Sequence, residues 1–244
     1  CILKKEKQKL NLLLPKGNKK FKNKKIQSNF NLVTTNKKLE RQKKKDHILM
    51  VQYFPYKFQN RLISTEHNLF DISKNINIQK KFISNLKKEY RSKIKIRLGF
   101  AEDLSNGMQD YEKKYWLSSF ENAQLESRQI PLSRSLKNCR IVIVNSFVST
   151  VFTECLVYNI PCFIISNFER DMFNKECIND FVALKNQNII QKDPISFSKF
   201  INEKYNEIDA WWNCKKVQST IQNFRHNYCH SVKEPIKFLN KHLN

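Results

Sequence analysis

Between Arg140 and Ser166 the chain reads Arg-Ile-Val-Ile-Val-Asn-Ser-Phe-Val-Ser-Thr-Val-Phe-Thr-Glu-Cys-Leu-Val-Tyr-Asn-Ile-Pro-Cys-Phe-Ile-Ile-Ser. Ile141 to Val144 is β-branched throughout and too short for a helix, which marks a buried strand. Asn145 and Ser146 end it, and Ser149-Thr150 supplies helix-capping chemistry. Val151, Cys155, Leu156 and Tyr158 then share one helical face. Ile160-Pro161 stops that helix, and Cys162 to Ile165 is a second buried strand. A strand, a short helix and a strand in so few residues form a tight βαβ unit, which demands a parallel sheet.

The polar residues of this unit fall where open parallel sheets bind ligands, beyond the carboxyl ends of the strands. A first helical turn there offers unpaired N–H groups and the positive end of a dipole, which suits phosphate. Asn145, Ser146, Ser149 and Thr150 occupy that place, and Glu154 comes one turn after Thr150 on the same side. A carboxylate so placed can accept hydrogen bonds from two vicinal hydroxyls, such as those of a ribose. The plainer alternative is that Ser149 and Thr150 only cap the helix and Glu154 is a solvated helix residue.

At 244 residues the chain is long enough to bury a full core. It begins at Cys1 and is read as part of a longer protein. Seven scattered cysteines without a Cys-x-x-Cys pair point to reduced thiols in the cytoplasm. No apolar run reaches the roughly 20 residues of a membrane helix. The formal charge of +23 suggests nucleic acid, but its distribution argues otherwise. Residues 1–45 hold 16 of the 45 basic residues and two of the 22 acids, so most of the excess is a tail. No nucleic-acid motif accompanies it, and no specific nucleic acid is expected as a partner.

Residues 1–45 show no sustained periodicity and read as a basic linker or the remnant of a preceding domain. Residues 46–244 read as one α/β domain of the Rossmann type. His47 to Phe54 is its first strand, closed by Pro55, and the loop beyond holds Tyr56, Lys57 and Arg61. Ile78, Phe82, Ile83, Leu86 and Tyr90 mark a helix. Lys93 to Phe100 alternates as a strand, with Arg97 opposite its isoleucines; one reading puts Arg97 on a solvated face. An amphipathic segment spans Tyr111 to Phe120, and Pro131 opens a short helix. Beyond Ser166 the chain is largely helical, with Asp193-Pro194 as a helix start and Trp211 and Trp212 read as core. The predicted order β-α-β-α-β-α-β-α-α is that of a doubly wound parallel α/β sheet with C-terminal closing helices. His226, Cys229 and His230 stand at helical spacing, but with no evident fourth ligand a metal is not expected.

These stretches resemble a family of transferases from bacterial surface-polysaccharide loci that look like GT-B glycosyltransferases. The matching residues are Ile48-Leu-Met-Val with Phe54-Pro55 and Arg61, and Ile94-Lys-Ile-Arg-Leu98. They continue with Ser133 to Val144, Ser149-Thr-Val-Phe-Thr-Glu-Cys-Leu156 with Asn159-Ile-Pro161, and Asp209-Ala-Trp-Trp-Asn213. The resemblance covers about Ile48 to Cys229 and implies the C-terminal, donor-binding half of a two-domain GT-B enzyme. By that analogy Ser149 and Thr150, with Ser146 beside them, contact the diphosphate of a nucleotide-sugar, and Glu154 its ribose. Arg97 and Arg61 neutralise charge on the departing nucleotide diphosphate. No cofactor is implied, because the nucleotide-sugar is a substrate and helix ends and basic side chains replace a metal. The acceptor is expected to be a glycan or a lipid-linked sugar, met at the inner face of a membrane that the basic N-terminal stretch contacts peripherally. Two other classes stay open: a non-catalytic nucleotide- or glycan-binding module, and a basic nucleic-acid-binding protein.

Overall fold

The computed structural model describes residues 39, 46–52, 69–99, 108–120, 123–147, 149–166, 173 and 177–229. Strand β1 (His47–Val51) leads to α1 (Leu69–Asn85) and the single turn α2 (Lys88–Arg91). Then come β2 (Ile94–Arg97), α3 (Met108–Ser119), β3 (Gln124–Glu126) and α4 (Leu132–Asn138). The expected βαβ unit is β4 (Cys139–Val144), α5 (Thr150–Val157) and β5 (Cys162–Ile165). It leads into α6 (Ile178–Asn186), β6 (Ile190–Gln191) and α7 (Pro194–Lys204). A 3₁₀ turn (Tyr205–Glu207), α8 (Ile208–Trp212) and α9 (Lys215–Tyr228) close the described chain.

All five strand pairings are parallel, in the order β3-β2-β1-β4-β5-β6. That is the doubly wound, Rossmann-like order, and it reverses direction between β1 and β4. The expected fold class therefore holds, with two short strands, β3 and β6, added at the edges of the expected four. One register row crosses the whole sheet through Glu126, Arg97, Val51, Val144, Ile164 and Ile190.

Side chains alternate between the two faces with the period of two that a strand imposes. Ile48, Met50, Ile141, Ile143 and Phe163 pack with α1, α3 and α7 in one core, around Phe82, Trp116 and Phe197. Leu49, Val142, Val144, Cys162 and Ile164 pack on the opposite face with α5, α6 and α9, around Phe152, Leu184 and Ile221. Burial on both faces is why these strands read as continuous apolar runs.

Two devices fasten the C-terminal helices. Asp193 caps α7, its carboxylate accepting from Ile195 N at 3.4 Å and Ser196 N at 2.8 Å, and the bonds from Ser196 hold its pKa below the usual range. Asn159, just past α5, adopts the left-handed backbone (φ 54°) that Asn tolerates. Its Oδ1 accepts from Trp212 Nε1 at 2.9 Å and Gln218 Nε2 at 3.1 Å, and its Nδ2 donates to Asn213 Oδ1 at 3.1 Å. The motifs at Asn159-Ile-Pro161 and Asp209 to Asn213 thus meet in space. Trp212 is fully buried, as expected of a core residue, and Trp211 is partly buried against both cores.

Replacing Asn159 tests both of its roles. Asn159→Ala loses the left-handed tolerance and leaves the buried Trp212 N–H unanswered, an expected loss of about 2–4 kcal/mol. Asn159→Gly restores the backbone and is expected to lose about half as much. Urea unfolding of the two variants checks this; equal losses would remove the backbone role.

Candidate functional site

The site is built from the residues just past the last apolar position of each central strand. Gln52 comes directly after β1, Asn145 and Ser146 after β4, and Ser166 after β5, and all four are buried. The ladder carries on past the strand ends, with Gln52 N donating to Arg97 O at 3.0 Å and Ser166 N to Gln191 O at 3.1 Å. Gln52 and Asn145 continue the parity of Met50 and Ile143, on the α1 face. Ser146 continues the parity of Val144, on the α5 face. Because α1 and α5 pack on opposite faces, the ends of β1 and β4 form the topological switch point, the place where sheets of this kind bind ligands. Across it Asn145 Nδ2 donates to Gln52 Oε1 at 3.2 Å.

Beyond β4 the chain turns tightly, with Ser149 N donating to Ser146 O at 3.4 Å. Ser149 is the N-cap residue of α5, with extended backbone (φ −70°, ψ 117°), but its side chain makes no capping bond. The capping alternative is therefore met by position and not by the hydroxyl. Thr150 is exposed on the first turn, and Glu154 lies one turn on, half-buried. Burial alone raises the Glu154 carboxyl above its usual range. A partly desolvated carboxylate of this kind gains most from hydroxyl donors brought by a ligand. Ser146, Ser149 and Thr150 thus stand at the amino end of α5, with Glu154 one turn along it.

Arg97 behaves differently from the solvated-face reading. It is 6% exposed, and its guanidinium turns inward to the edge of the sheet. Nη1 pairs with Glu126 Oε1 at 2.8 Å and donates to Ser135 Oγ at 3.3 Å. Nη2 donates to the carbonyls of Ile130 at 2.7 Å and Arg128 at 3.4 Å. Ser135 Oγ also donates to Glu126 Oε1. A direct contact with a leaving group would require breaking this ion pair; as placed, Arg97 holds β3 and the 127–131 loop. Residue types alone hid this, because the partner carboxylate stands 29 positions away.

Arg61, with Tyr56 and Lys57, lies outside the described residues, as does His230. Among the described residues no group of three or more His, Cys, Asp or Glu side chains could hold a metal ion, and no helix is long and apolar enough to cross a membrane. A surface groove of about 530 Å³ lies between the end of α1 and α7, lined by Asn85, Lys87, Ile195 and Asn202 among others, and includes none of the residues gathered at α5. The sequence reading does not single out Gln52, which the structure buries beside Asn145. Its signal was a lone amide closing an apolar strand.

Fold and site together define a Rossmann-like α/β domain with a cluster of polar residues at its topological switch point. The chain belongs to the LIC12162 transferase family, whose pattern it matches over residues 16–243. No curated protein matches it in sequence. Two solved structures of the wall teichoic acid polymerase TagF, one of them soaked with CDPG, are similar at 15% and 14% identity. Their TM-scores are 0.45 and 0.41; each covers 84% of this chain, and this chain spans 43% and 44% of theirs, less than half their length.

Arg97 and Glu154 each give a measurable expectation. Arg97→Met leaves the partly buried Glu126 carboxylate without its partner and should cost about 2–4 kcal/mol in urea unfolding, whereas Arg97→Met with Glu126→Leu should recover most of it. An unchanged stability for Arg97→Met would mean the pair does not hold the edge. For Glu154 the folded pKa lies above the unfolded one, so ionisation weakens the fold. Glu154→Gln should therefore raise Tm by about 1–3 °C above that folded pKa. The gain should shrink as pH falls and vanish below the ordinary carboxyl value. A gain that is the same at acidic and neutral pH would refute this account.

Proposed function

We propose that this chain is the donor-binding part of a GT-B-like glycosyltransferase, moving a sugar from a nucleotide-sugar to a glycan or lipid-linked acceptor in surface polysaccharide synthesis. Membership of a transferase family supports the reaction class. The observation that carries the reading is the set at the amino end of α5: buried Ser146, Ser149 with a hydroxyl not spent on capping, exposed Thr150 and half-buried Glu154. Phosphate at a helix amino end meets unpaired N–H donors and a favourable dipole. Ser146, Ser149 and Thr150 add hydroxyl donors around it. Glu154 supplies the opposite polarity, an acceptor for the vicinal hydroxyls of ribose.

In this mechanism the glycosidic bond to the diphosphate breaks as the acceptor oxygen attacks the sugar, and negative charge gathers on the departing diphosphate. The α5 amino end and its hydroxyls stabilise that charge more than they stabilise the bound donor, which is what lowers the barrier. Arg61 is assigned the cationic contribution, on the resemblance alone. Arg97 acts at one remove, by holding the β2–β3 edge. No metal or cofactor is invoked. Acceptor activation belongs to residues outside this domain, and the basic N-terminal stretch is assigned peripheral contact with the membrane face.

The reading is tested by thermal shift of the full chain with UDP, GDP, CMP and dTDP. At a hundredfold excess over Kd one nucleotide is expected to raise Tm by about 5–10 °C, and Glu154→Ala to abolish most of that rise. A cooperative melt that no nucleotide moves would end the donor-site reading. Binding without sugar transfer, in the presence of donor and acceptor, would favour the non-catalytic module.

A further inference from the structure

Gln52 has a buried hydrogen-bond donor that nothing answers. The residue is 6% exposed, its Oε1 is taken by Asn145 Nδ2, and its Nε2 has no partner. Native folds rarely leave such a group unmatched, so each one calls for an explanation. Other unmatched buried polar atoms lie elsewhere: on His47, Asn138 and Arg140 at the amino edge of the sheet, and on Gln79 and Trp116 in helices. Gln52 stands at the carboxyl edge, at the switch point between the ends of β1 and β4.

The orientation of the amide sets the chemistry of the missing partner. Asn145 occupies the acceptor oxygen, so only a donor is presented, and the group that answers it must be an acceptor. The amino end of α5 follows β4 at the same edge, and its N–H groups also ask for an acceptor. A phosphate oxygen, which accepts and does not donate, suits both. Glu154 has the reverse polarity and is matched to hydroxyls.

We propose that Gln52 is a direct donor, through Nε2, to a diphosphate oxygen of the nucleotide, with Asn145 as the positioning residue that fixes the amide. This rests on the donor-binding reading and adds a contact from β1 to those from β4 and α5. The nucleotide diphosphate is then held from both sides of the switch point.

Calorimetric titration of the full chain with UDP, GDP, CDP and dTDP, each compared with its nucleoside by competition, tests it in wild type, Gln52→Met and Gln52→Glu. Wild type that binds none of the diphosphates sinks the donor-binding reading, and this inference with it. Where wild type binds one, Gln52→Met is expected to weaken the diphosphate about tenfold and Gln52→Glu further, by charge repulsion, with nucleoside affinity changed less than about twofold. Undiminished diphosphate affinity in Gln52→Met overturns this inference alone. Equal loss of diphosphate and nucleoside overturns it too, since that marks a collapsed site. If Gln52→Met fails to melt cooperatively, Gln52→Asn keeps the amide but draws it back by one methylene, and the same selective loss decides.

Discussion

The parallel pairing of β1 with β4 is the contact from which the rest of this domain is laid out. Ile48, Leu49, Met50 and Val51 stand opposite Ile141, Val142, Ile143 and Val144, and each strand is covered by helices on both faces. Within such a pair there is no room for an unpaired polar side chain, because both faces are dry. Polar chemistry is displaced to the first positions after the strands, where the helices separate. Gln52, Asn145, Ser146 and Ser166 all sit there. The site is in this sense a by-product of the core: the same packing that excludes polar groups from the sheet concentrates them at its carboxyl edge.

The β3 edge depends on electrostatics where the centre depends on burial. A strand of three residues, Gln124–Glu126, offers few ladder bonds and little apolar surface. The Arg97–Glu126 pair compensates by joining β2, β3 and Ser135 of α4, and by satisfying carbonyls of the 127–131 loop. Such a pair gains little net stability over an apolar one, since desolvation offsets its attraction. What it supplies is specificity of register, because Arg97 and Glu126 are direct neighbours in the row and a slip by one residue would bury both charges alone.

The parts of the fold that were legible in the sequence are those whose signal is local. Ile141 to Val144 and Cys162 to Ile165 are apolar runs with defined stops, and Asp193-Pro194 is a capping pair whose geometry depends only on its neighbours. β3 and β6 were not legible: Gln-Leu-Glu and Ile-Gln are too short to show a period, and they become strands only because β2 and β5 present open edges. The hydroxyls and carboxylate at α5 were legible because a helix start and one helical turn fix their mutual placement. The burial of Arg97 is not legible, because alternation says which face a residue takes, not whether that face is wet. Gln52 was passed over because its meaning lies in Asn145, across a strand pairing that no local pattern reveals.

The composition of the switch point also decides how it can hold phosphate. Many phosphate-binding turns rely on glycine so that backbone N–H groups can approach the ligand closely. This chain has three glycines in all, and none lies between Asn145 and Thr150. A turn without glycine favours ligand contacts made by side chains over contacts made by backbone N–H groups. Two of the side chains at this edge are poorly satisfied by the protein itself. Glu154 is shifted toward its neutral form by burial, and Gln52 has a donor without an acceptor. Their unmet demands are of opposite polarity, one for hydroxyl protons and one for an anionic oxygen.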